Sequence, residues 1–148
     1  MEDIEQIKER QKLSWEGMFY STRRIDLLII SICGAGIYIC LETVKYISNK
    51  CQDVSVLIKI SGGFFLFGIM VNFISQLYGQ KTNEQDYLMC QAKIDAGKKI
   101  SKKEEEEIDT YDEKSEGYSK WTEHLNYLSI ILMFLGLLTI MCYFFFIF

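Results

Sequence analysis

Apolar residues gather in three long blocks, Ile25 to Ile47, Val54 to Tyr78 and Leu128 to Phe148, and charged residues fill the stretches between them. Built as a helix at ~1.5 Å of rise per residue, each block is long enough to cross a hydrocarbon layer of roughly 30 Å. The third holds fourteen Leu, Ile and Phe residues and no charge. At about 0.3 kcal/mol apiece these alone favour insertion by about 4 kcal/mol. The first is flanked or interrupted by Asp26, Glu42 and Lys45, and the second carries Lys59 and Asn72, so insertion of the two as a hairpin shares their cost. The pattern predicts an all-α polytopic membrane protein with three transmembrane helices, an N-terminal amphipathic helix and a cytoplasmic helical pair. The expected division is an amphipathic helix over 1–24, a transmembrane hairpin over 25–79 with spans 25–47 and 54–79, a cytoplasmic helical region over 80–124, and a C-terminal span over 125–148.

Two consecutive crossings return the chain to its starting side, so the tail and the 80–124 region share a compartment. Lys8, Arg10, Lys12, Arg23 and Arg24 in the tail and eight lysines in the long loop outnumber Lys45, Lys50 and Lys59 around the short turn. The excess predicts both regions on the cytoplasmic side of the inner (plasma) membrane and the C-terminus on the far side. The charged, mixed N-terminus lacks the layout of a cleaved signal peptide.

In the tail, Ile4, Ile7, Trp15 and Met18 are spaced for one helical face, suited to packing on other helices or to the membrane surface. After the second span, Thr82 or Asn83 would cap a new helix with Tyr87, Cys90 and Ile94 on one side, ending at Gly97. Ser101 and Glu104 form an S-x-x-E capping box that opens another, with Ile108, Tyr111 and Tyr118 near one stripe and Gly117 weakening it. The run EEEEIDTYDE reads as a solvated face or as a docking surface for a basic partner.

Composition narrows the chemistry. A net charge of −4 with both signs mixed outside the apolar blocks argues against a nucleic-acid partner, and membrane lipid is the expected one. Five cysteines without a CxxC pair do not make a disulfide framework, although Cys51 would face the oxidising side. His124 is the only histidine and has no companions at zinc-ligand spacing, so no metal is expected. No cofactor is implied, and neither a phosphate loop nor a nucleophile elbow occurs, so enzymatic activity is not expected.

Three groups of residues carry what function the pattern suggests. Ser61, Gly68, Asn72, Ser75 and Gly79 recur at spacings of seven, four, three and four along the second span, a small and polar stripe on one face. It serves either as a close helix contact, matched by Ser31, Ala35, Gly36 and Cys40 of the first span, or as the lining of a water path in an oligomer, with Asn72 as constriction. Reflecting the hairpin about its turn pairs positions whose numbers total 101, which sets Glu42 and Lys59 at one depth. They form an intramembrane ion pair, which Lys45 is placed to share, or the outer mouth of an ion path. At the cytoplasmic boundary, Arg23 and Arg24 before the first span and Trp121 and Tyr127 before the third read as interface anchors.

An N-terminal helix ending in FYSTRRIDLL, a tight two-span hairpin, and a helix running on from ISQLYGQKTNEQDYLMC together resemble, over residues 15–97, the small bacterial SLATT-type membrane effectors. The third span is an addition to the family's two-span plan. The resemblance implies a homo-oligomeric effector that perturbs membrane permeability, in antiphage defence, held closed until a signal acts on it, often a nucleotide from a partner enzyme. The competing expectation is a membrane-anchored adaptor whose acidic cytoplasmic helices recruit a soluble partner.

Overall fold

The computed structural model describes the backbone of residues 4–50, 53–96 and 101–147, and the side chains of 23–50, 53–93 and 101–146. These residues form three long helices, α1 (Ile4–Asn49), α2 (Val56–Ala96) and α3 (Lys102–Ile147). All three are long and apolar enough to cross a membrane, over Arg23–Asn49, Val56–Lys93 and Lys102–Phe146. Their 46, 41 and 46 residues correspond to about 60–70 Å at ~1.5 Å each, twice the thickness of a hydrocarbon layer of ~30 Å.

The all-helical fold matches the expectation, but the separate short helices do not exist as such. Residues 80–96 are the unbroken continuation of α2, and 102–124 are the first half of α3. Backbone of the tail is likewise continuous with α1 from Ile4. The side chains of Ile4, Ile7, Trp15 and Met18, like those of Cys51, Ile94 and Gly97, lie outside the described residues. Thr82 does not cap a helix; its hydroxyl donates back to the Tyr78 carbonyl at 3.1 Å, which leaves the helix intact. Gly117 does not interrupt α3, because a single glycine costs only about 1 kcal/mol against alanine and neighbouring turns carry it. The cap at Ser101 is present: Glu104 Oε2 accepts from the Ser101 backbone N–H at 2.7 Å, the returning half of a capping box. Ser55 serves α2 similarly, accepting from Leu57 N–H at 3.3 Å.

α2 and α3 pack antiparallel along nearly their whole lengths, and α1 lies mainly against α2. The buried positions of α2, Ile58, Ser61, Phe65, Gly68, Asn72 and Ser75, alternate steps of three and four. So do Ser129, Met133, Gly136, Ile140 and Tyr143 of α3, and Ile29, Cys33, Gly36 and Cys40 of α1. This is the coiled-coil repeat, which keeps one seam facing its partners over many turns. Phe65 is the central knob. Its fully buried ring fills the hole left by Gly36 and Gly136, where a Cβ added at either position would overlap the ring carbons. Along the apolar blocks the surface outside the seam is mostly apolar, with Leu27, Leu28, Phe67, Phe73 and Leu138 all exposed.

Candidate functional site

Every member of the expected stripe on α2 faces the seam. Ser61 is fully buried and donates to the Gly136 carbonyl at 2.8 Å. Gly68 lies against Cys33 and Leu132, and Gly79 against Thr122. Ser75 reaches the Thr122 carbonyl at 2.9 Å and the Asn126 side chain at 2.6 Å. Asn72, also fully buried, donates through Nδ2 to Asp26 Oδ1 at 2.9 Å and accepts from Gln76 Nε2 at 3.0 Å. Among the described residues no buried side-chain nitrogen or oxygen lacks a hydrogen-bond partner. A polar group in an apolar surround is costly unless satisfied, and here the chain satisfies each of them internally. Within one copy Ser61, Gly68 and Asn72 are packed between helices, while Ser75 and Gly79 also border a cleft.

Two sequence readings of α1 change. Gly36 and Cys40 are indeed on the packed face, but Ser31 and Ala35 are exposed on the opposite one. Glu42 does not meet Lys59; its partner is Lys45 at 3.8 Å, one turn along the same helix, and Lys59 is exposed. The hairpin register itself is as expected, since Gly36 with Phe65 and Cys33 with Gly68 both total 101. Depth alone does not bring two side chains together, because rotation about each helix axis decides which way they point.

Beyond the apolar zone the same register continues. Ser115 donates to Asp86, Tyr78 packs on Tyr118 and Trp121 with ring centroids 5.9 Å and 6.4 Å apart, and Ile108 is buried. The face of α2 used here holds Thr82 and Asp86, while Tyr87 and Cys90 are exposed. Continuity explains the shift: the phase is inherited from Ser75 and Gly79, rather than chosen by the apolar residues of an independent helix. Between the helices a cleft of about 440 Å³ is lined by Asp26, Ser75, Gln76, Gly79, Asn83 and Asp86 among others.

The outer surface of this α2–α3 arm is charged. The stretch from Glu104 to Glu113 carries seven carboxylates and no basic residue. Glu107 accepts from the Tyr111 hydroxyl at 3.0 Å and, with its charge, pushes the phenol's pKa up. Lys120, 2.8 Å from Glu116, holds that carboxyl below its ordinary value. Of the expected anchors, Arg23, Arg24, Trp121 and Tyr127 all lie exposed around the level where the apolar zone begins. No group of three or more His, Cys, Asp or Glu side chains able to hold a metal occurs among the described residues.

Sequence reasoning missed Phe65, Gly136 and the role of Asp26. The first two lie on the three-and-four repeat that runs through Ser61 and Gly68, and a large ring opposite mid-span glycines was the available signal. Nothing in the pattern marks Asp26 as the acceptor for Asn72. No protein-family model, curated protein or solved structure matches the chain.

Proposed function

We propose that the chain is a three-span inner-membrane protein whose α2–α3 arm stands in the cytoplasm as an acidic docking post for a soluble partner with a basic surface. The orientation follows from the lysine and arginine excess in the tail and the 80–124 region. One observation carries the reading: α2 and α3 keep a single register from Ser61–Gly136 in the apolar zone to Asp86–Ser115 in the arm, with no break between. Seventeen residues of α2, 80–96, extend past the apolar zone, about 25 Å at ~1.5 Å each. A partner bound at the carboxylates of Glu104 to Glu113 therefore acts on a lever that continues into the lipid.

The test is site-specific photo-crosslinking in cells from positions 105 and 109 on the arm. The expected result is a discrete adduct with a soluble protein, lost when Glu104 to Glu107 are changed to lysine in a chain that still fractionates with membranes. Adducts that survive the charge reversal, or none at all, overturn the reading.

A second reading, the oligomeric effector that perturbs permeability, is favoured by the exposed, charged Glu42 and Lys45 within an apolar segment of α1. In that case a path through the middle of the bilayer runs between copies, since Ser61, Gly68 and Asn72 are packed within each one.

A further inference from the structure

The side of α1 turned away from α2 and α3 carries its own repeat. Ser31, Ala35, Tyr38, Glu42, Lys45 and Asn49 follow at steps of four, three, four, three and four, and every one of them is exposed. This is the spacing by which the three helices pack on each other, and steps of three and four return to the same side of a helix. The composition is wrong for lipid. Glu42 and Lys45, 52% and 70% exposed, stand roughly 10 Å and 6 Å before the end of α1 at Asn49, at ~1.5 Å per residue, in an otherwise apolar segment. Their mutual distance of 3.8 Å is long for a charge-assisted hydrogen bond, so each keeps capacity for a closer partner. Before the exposed Tyr38 the face is small, at Ser31 and Ala35, and an added Cβ at the adjoining Gly34 would meet no atom within 4 Å.

We infer that this outer face of α1 is where a second copy of the chain docks, in the same orientation and about a two-fold axis along the helices, with Glu42 of each copy paired to Lys45 of the other. Such an axis keeps every residue at its own depth, so only groups at nearly equal depth meet across it. In a two-fold interface residue i contacts j and j contacts i, so one Glu and one Lys a turn apart supply two complementary pairs. Ser31 and Ala35 let the backbones approach, as small residues do where helices associate in lipid. The inference rests on the reading that these segments lie in a bilayer.

The experiment is oxidative cysteine crosslinking of the full chain in membranes, with Cys51, Cys90 and Cys142 changed to serine. Ala35→Cys is the probe. Leu66→Cys, at the matching depth of the hairpin but exposed on α2, is the control. The expected result is a covalent dimer from position 35 and none from position 66. Glu42→Lys and Lys45→Glu singly should each reduce that dimer about tenfold, equivalent to ~1.4 kcal/mol in the association constant, and the two exchanged together should restore it. Each single variant is compared at equal recovery in the membrane fraction, with Leu66→Cys in the same background as its control. Equal dimer at both positions, no dimer at position 35, single reversals without effect, or a double exchange that stays monomeric each overturns the inference. A chain recovered in the soluble fraction after carbonate extraction overturns the membrane reading instead, and the dimer with it.

Discussion

The ring of Phe65 lies so close over Gly136 that a Cβ at position 136 would stand 2.7 Å from its Cε1. Neither group has room to yield, since Phe65 is fully buried and Gly36 faces its other edge. Gly136→Ala is expected to destabilise the bundle by about 1–3 kcal/mol, the usual range for overpacking. Phe65→Ala costs a comparable amount, less than the ~3–5 kcal/mol of a soluble core because lipid tails are as apolar as the cavity's lining and only packing is lost. The two changes together should cost less than their sum, because the smaller side chain removes the clash. Reversible unfolding in mixed micelles measures the cycle, and strict additivity would show that the two residues do not share one site.

Asn72 ties α2 to α1 through Asp26 at 2.9 Å. Replacing it by alanine is expected to cost about 0.6–2 kcal/mol, the range for hydrogen bonds between helices in lipid. Asn72→Asp is the sharper test. It sets two carboxylates within hydrogen-bond distance, and this like-charge contact is expected to cost more than the alanine change does. Adding Asp26→Asn to the same chain removes the repulsion and should recover most of the loss. Reversible unfolding in mixed micelles compares the variants, and an Asn72→Asp chain no less stable than Asn72→Ala would argue that Asp26 and Asn72 are not in contact.

Continuity of α2 across Gly79 predicts how an insertion behaves. With Asp86 and Ser115 replaced by cysteine in a background without Cys51, Cys90 and Cys142, crosslinking between α2 and α3 is expected, because Ser115 donates to Asp86. One alanine inserted after Gly79 rotates everything beyond it by about 100° at ~3.6 residues per turn. The crosslink should then move to a cysteine placed at Gln85, which takes over the former position of Asp86. If the arm were an independent helix beginning at Thr82, a loop would absorb the insertion and the original pair would still crosslink. Mass spectrometry of the linked peptides distinguishes the two outcomes.

That contrast also shows what the sequence made legible. Three apolar blocks, the hairpin register and the seam through Ser61, Gly68, Asn72, Ser75 and Gly79 follow from length and periodicity, which are properties of single helices. The partners of Asn72 and Glu42 do not, because they depend on the rotation of one helix against another. Thr82 and Gly97 looked like helix boundaries on local propensity. At Thr82, however, packing against α3 holds α2 together through a position that an isolated peptide would treat as a break. The capping box at Ser101 was readable because both of its partners lie within four residues.

The orientation can be checked with cysteines that the fold leaves exposed. Cys90 stands on the arm, and Asn49 lies at the opposite end of the bundle, where α1 finishes. With the arm in the cytoplasm, a membrane-impermeant maleimide should label Cys90 in inside-out vesicles and leave it untouched in intact spheroplasts. An Asn49→Cys variant lacking Cys51, Cys90 and Cys142 should give the reverse pattern. The lysine and arginine excess beside the arm is what drives this expectation, so reducing it ought to weaken the bias: changing Lys8, Arg10, Lys12, Arg23 and Arg24 to glutamine together should produce a mixed population labelled at position 49 from both sides. Labelling of Cys90 from outside in the parent chain would invert the proposed topology. The acidic arm would then face away from any cytoplasmic partner.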